Sequence, residues 1–152
     1  CSAVVSVSEC LNYKASGRNH RRDLTALFRR IYHTLIPGGV FVFDMAVPGQ
    51  VAPGITATVF TEGEDWLVLA AKQEDAEKRV LTRRIVTFRR SGSQYRRSEE
   101  VHKQALYPSS EIADALRDLG FTVRVSQRYG AFKLPKARAA FVARKALAVR
   151  RE

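Results

Sequence analysis

The chain has 152 residues, is 45% hydrophobic and carries a formal charge of +11, which is enough apolar material for one buried core in one domain. No apolar run approaches the ~20 residues needed for a membrane-spanning helix. The expectation is therefore a globular, by default cytoplasmic, domain whose two cysteines, Cys1 and Cys10, lack metal-ligand spacing, with Cys10 read as a reduced thiol packed behind a core strand.

In chain order, residues 2–8 (Ser-Ala-Val-Val-Ser-Val-Ser) form the first strand-like run. Leu24, Leu27, Phe28, Ile31 and Leu35 then recur at helical spacing and stack on one face. Pro37 cannot continue that helix, and Gly38-Gly39 supply a tight reversal. Val40-Phe41-Val42-Phe43 follows as a short apolar run of the kind covered on both faces in a parallel sheet, ending at Asp44. Strand, helix and strand make a right-handed crossover unit of an open α/β sheet.

Pro48, Gly49, Pro53 and Gly54 mark a loop leaving the second core strand. Residues 56–61, 66–73, 79–89 and 94–106 alternate as strands, with turns at Glu62-Gly63-Glu64 and Ser91-Gly92-Ser93. They predict antiparallel hairpins with one face packed and one wet. Ser109 is placed to cap a helix whose core stripe is Ile112, Ala115, Leu116 and Leu119, with Glu111 near its positive end and Gly120 as a left-handed stop. A strand over 121–127, with Phe121, Val123 and Val125 inward, and another over 138–145 complete the chain.

Four segments in this order carry a family resemblance. They are Val4-Val5-Ser6-Val7-Ser8-Glu9-Cys10-Leu11-Asn12-Tyr13; Leu35-Ile36-Pro37-Gly38-Gly39 with its strand; Tyr107-Pro108-Ser109-Ser110-Glu111-Ile112 leading to Leu119-Gly120-Phe121; and Ala140-Phe141-Val142-Ala143-Arg144-Lys145. Together they resemble the second half of a class I S-adenosylmethionine-dependent methyltransferase of the small-molecule type. The resemblance implies an α/β fold over residues 1–152: a partial Rossmann-like sheet of parallel core strands closed by a C-terminal antiparallel hairpin. Residues 46–106 would be an inserted antiparallel cover over the substrate pocket. No G-x-G-x-x-G cluster, the family's main cofactor grip, occurs in the sequence. The chain therefore reads as a C-terminal portion, with an apolar first strand left open to self-association.

Ligands in open α/β sheets sit beyond the carboxyl ends of the strands. The resemblance places Val7, Ser8, Glu9 and Tyr13 at the methionine end of S-adenosyl-L-methionine, where Tyr13 would face a sulfonium cation or else pack beneath the helix. Candidate bases are Glu9, Asp44 and His102, each with a structural alternative: capping the loop, holding the turn, or facing solvent beside Glu99 and Glu100. His20 and His33 read as surface residues, and no spacing of His, Cys and carboxylates supports a metal. The 26 Lys and Arg residues are scattered, often as pairs such as Arg21-Arg22, Arg83-Arg84 and Arg150-Arg151. That scatter favours a solvated surface over a nucleic-acid site. The acceptor is expected to be a small molecule. A nucleotide-dependent oxidoreductase and a non-catalytic binding domain with a basic, nucleic-acid-facing surface remain the alternatives at this point.

Overall fold

A computed structural model describes residues 1–14 and 18–147, so the Arg150-Arg151 pair lies outside the described residues. Strands β1 (Ala3–Ser6) and β2 (Val40–Ala46) are parallel neighbours, with Val5 opposite Val42. Between them runs helix α1 (His20–Thr34), whose first turn is capped by the Asn19 side chain accepting from the Arg22 amide. At its other end Lys145 Nζ donates to the carbonyls of Tyr32 and Leu35, at 2.7 Å each, meeting the negative end of the helix dipole.

The core sheet has the order β1-β2-β10-β7. β10 (Arg138–Lys145) runs antiparallel to both β2 and β7 (Phe121–Ser126). Helices α1 and α2 (Ser109–Arg117) cover one face. There Leu24, Phe28, Ile31 and Leu35 meet Phe41, Phe43, Met45, Phe141, Ile112, Leu116 and Phe121. Phe43 lies directly across from Phe141 with ring centroids 4.7 Å apart, and Phe41 stacks on Phe43 at 4.3 Å. Such offset stacking adds to the apolar area buried.

Several expectations are corrected. β2 is not covered on both faces: Phe41 and Phe43 are buried, whereas Val40 and Val42 on the opposite face are half-buried. β1 lies at the sheet edge and leaves Val5 64% exposed, because both helices pack on the other side. Val125 is exposed rather than inward, and Cys10 is an exposed free thiol rather than a packed one. Ser109 is the first helical residue and makes no side-chain cap, the boundary falling at Pro108. Gly120 does adopt a left-handed φ of +97°, and a Cβ there would stand 2.9 Å from the Tyr32 hydroxyl.

The second sheet is the antiparallel meander β3 (Ala57–Glu62), β4 (Trp66–Asp75), β5 (Val80–Ser91) and β6 (Gln94–Ala105). Its strands fall within two residues of the expected ranges. The expected division into one packed and one wet face fails along β3, which is exposed throughout. Only the base of this sheet rests on the core sheet, through a small cluster of Ala46, Leu81 and Leu106 with Val51 beside it. The loop after β2 is held by Glu74, whose carboxylate accepts from the amides of Gly49, Gln50 and Val51. A short hairpin, β8 (Arg128–Tyr129) and β9 (Phe132–Lys133), was not foreseen; strands of two residues leave no periodicity to read.

Candidate functional site

The chain leaves β1 through Val7 and enters two successive left-handed residues, Ser8 at φ 67° and Glu9 at φ 60°. Neither is glycine, so each costs roughly 1–3 kcal/mol unless the surroundings hold it. Asp44 does the holding. Its Oδ2 accepts from the Ser8 amide at 3.1 Å and its Oδ1 from the Glu9 amide at 2.7 Å. The Tyr129 phenol donates to the same carboxylate at 3.3 Å. Burial first, and then the adjacent Asp44 charge, push the Tyr129 phenol well above its ordinary pKa, so it stays a donor.

Behind the turn lies Asn12, fully buried and not singled out by the sequence reading. Its amide donates to the carbonyls of Ala46 and Ala105, at 2.9 and 2.7 Å, and its oxygen accepts from the Ala46 amide at 2.9 Å. One side chain thereby ties the ends of β2 and β6. An amide beside an apolar Leu in a strand-exit turn was the available signal, although its partners lie far along the chain.

Glu9 turns its carboxylate inward, with 2% of its side chain exposed. Arg83 of β5 pairs with it at 2.7 Å, Arg138 of β10 closes on its other oxygen, and Gln104 of β6 donates at 3.2 Å. Neither Arg83 nor Arg138 was foreseen.

Tyr13 and His102, expected separately, are brought together. Tyr13 forms a bridge to Gln104 of β6, and its ring meets His102 edge-on at 5.4 Å. His102 Nδ1 lies 3.3 Å from the Tyr13 hydroxyl and Nε2 lies 2.8 Å from a Glu100 oxygen. Tyr13 is 46% exposed and so does not pack beneath α1. His20, expected on the surface, is instead half-buried between the Tyr107 hydroxyl and the Leu11 carbonyl, each at 3.0 Å. Burial lowers its pKa from 6.5, the Leu11 hydrogen bond opposing. A cavity of about 220 Å³ lined by Cys10, Leu11, Tyr13, His20, Leu24 and Leu27 opens beside it. A larger hollow of about 450 Å³ sits at the far tip of the second sheet, around Trp66, Phe88 and Tyr95. It is remote from the strand ends and no part of this site.

Many surface cations are matched by carboxylates. Arg18 pairs with Asp23, Arg21 and Arg79 share Glu111, Arg84 and Arg97 share Glu99, and Arg117 pairs with Asp114.

No protein-family model matches the chain. It is similar to the putative methyltransferase YqeM of Bacillus subtilis (strain 168), 24% identical over 120 residues, which is 78% of this chain and 47% of that protein. In three dimensions it is similar to an S-adenosylmethionine-dependent methyltransferase from Clostridium acetobutylicum ATCC 824. The TM-score is 0.76 at 20% identity, covering 95% of this chain and 58% of the other. It is also similar to the sugar N-methyltransferase KedS8 from Streptoalloteichus sp ATCC 53650, with TM-score 0.70, 22% identity, and coverage of 95% and 56%. The chain thus spans about half the length of the proteins it matches.

Proposed function

We propose that this chain, whose fold is that of S-adenosylmethionine-dependent methyltransferases, makes up the trailing part of such an enzyme and takes part in methyl transfer from S-adenosyl-L-methionine to a small-molecule acceptor. The observation that carries the reading is the left-handed Ser8–Glu9 turn, clamped by Asp44 at the carboxyl end of a parallel strand. Backbone strain held this firmly at a strand exit is the kind found where a ligand must meet fixed peptide groups.

The residues present fit one flank of the cofactor. Val7 and Ser8 are exposed residues at the rim, and the half-exposed Tyr13 offers a π face to a cation, worth roughly 0.5–2 kcal/mol. Glu9 does not fit: it is buried, its carboxylate is sequestered by Arg83 and Arg138, and its amide and carbonyl are taken by Asp44 and the Asn12 backbone amide. The bound cofactor would supply an activated methyl group on a sulfonium. The protein's task is then alignment, exclusion of water and disposal of an acceptor proton.

For that proton, His102 is the candidate favoured by its surroundings. With Nε2–H donating to Glu100, Nδ1 is left as the basic nitrogen, accepting from the Tyr13 hydroxyl. Asp44 and Glu9 act as anchors: each buried carboxylate is already committed to donors of the fold. The second sheet is read as the cover of the acceptor space. The comparisons with known proteins do not favour the oxidoreductase alternative.

Titration of the chain with S-adenosylhomocysteine, followed by amide hydrogen exchange, tests the proposal. Saturable binding that protects the amides of residues 7–13 is expected. Absence of binding, or protection confined to other segments, would overturn it.

A further inference from the structure

Lys72 of β4, Arg83 of β5 and His102 of β6 stand in one cross-strand row of the second sheet and so share a face. Two cations directly opposite one another repel. Arg138 joins them from the start of β10. Among the described residues Glu9 is the one carboxylate that pairs with Arg83 and Arg138, while Lys72 has no ion pair. The neighbouring carboxylates are committed elsewhere, Glu74 to the loop amides, Asp44 to the Ser8–Glu9 turn and Glu100 to His102. Arg83 Nε is buried without a hydrogen-bond partner among the described residues. Burial, followed by the Arg83 charge, pulls the Lys72 ammonium below its ordinary pKa, with Glu9 opposing. All of this lies beside the Tyr13–His102 contact.

We propose that Lys72, Arg83 and Arg138 form an anion subsite that selects methyl acceptors bearing a phosphate or carboxylate group, next to the proposed base His102. Glu9 orients the two arginines, leaving Lys72 as the unpaired cation for the ligand. The inference rests on the methyl-transfer reading and names the substrate class for that site.

The test is titration of the chain at low ionic strength with inorganic pyrophosphate and with malonate, each paired with an S-adenosylhomocysteine titration. Saturable binding of at least one anion is expected. Lys72→Met should weaken it about fivefold or more, and Lys72→Arg should stay within about twofold, because charge carries the contact. S-Adenosylhomocysteine affinity should not change in either variant. The proposal is overturned if neither anion binds, or if Lys72→Met binds as the unaltered chain does. It is equally overturned if Arg29→Ala, on the exposed face of α1, weakens binding as much. A loss of S-adenosylhomocysteine affinity in Lys72→Met would assign the cations to the cofactor instead. Failure of the methyl-transfer reading itself would appear separately, as no S-adenosylhomocysteine binding by the unaltered chain.

Discussion

Tyr129 and Asp44 are joined by a hydrogen bond in which the phenol donates to Oδ2, the same oxygen that receives the Ser8 amide. A strand-exit turn, a core strand and the β8–β9 hairpin therefore depend on one carboxylate. Asp44→Asn keeps one acceptor oxygen and introduces an amide where donors converge. A loss of about 2–3 kcal/mol is expected, and Tyr129→Phe should cost about 1 kcal/mol. Chemical denaturation measures both; an Asp44→Asn midpoint equal to that of the unaltered chain would refute the clamp.

Removing the Glu9 carboxylate strands two guanidinium groups at the junction of the sheets. Glu9→Ala should cost about 3–5 kcal/mol. Adding Arg138→Met to Glu9→Ala should recover part of that loss, because a cation no longer needs a partner. Strict additivity of the two changes in a double-mutant cycle would show that the pair is not coupled.

The aromatic stack gives the size of the core's contribution. Phe43, fully buried against Phe41 and Phe141, should cost about 3–5 kcal/mol on truncation to Ala. Phe43→Leu should cost markedly less, and equal losses would place the effect outside cavity formation.

His20 predicts a pH dependence. Its folded pKa lies below the ordinary 6.5 because burial disfavours the cation. As pH falls below about 6.5, the unfolded chain takes up a proton that the folded one resists. The contribution is present above that value and lost as pH falls towards the folded pKa. Thermal midpoints measured from neutral to mildly acidic pH should fall, and His20→Gln should flatten the profile; an unchanged slope in the variant would reject the assignment.

The exposed edge of β1 offers backbone groups and Val5 to another strand. Light scattering should show concentration-dependent association of the chain. A uniform monomer at high micromolar concentration would contradict this.

The parallel pairing of β1 with β2 and the meander were legible in the sequence because each rests on local signals, whereas the closing β7–β10 pairing was implied only by the family resemblance. Those signals are apolar periodicity, Pro37 with Gly38-Gly39, and turn residues at Gly63 and Gly92. The site was legible only as a neighbourhood. Position after a parallel strand pointed to Val7, Ser8 and Tyr13, but no glycine announced the left-handed Ser8–Glu9 turn, since its conformation is imposed by Asp44, 36 and 35 positions away. The fate of the Glu9 side chain depends on Arg83, 74 positions along the chain. Burial of His20 likewise required Tyr107, 87 positions distant. Long-range polar partners leave no periodicity behind.

The contacts joining the two sheets are few and mostly polar: the Asn12 amide, the Glu9 ion pairs and a patch built on Ala46, Leu81 and Leu106. Because these sit at the base, substitutions in the outer rows of β3 to β6 leave the joint untouched. Such an architecture leaves the outer rows free to vary while the joint stays fixed, and chimaeras exchanging only the outer rows should keep the stability of the unaltered chain.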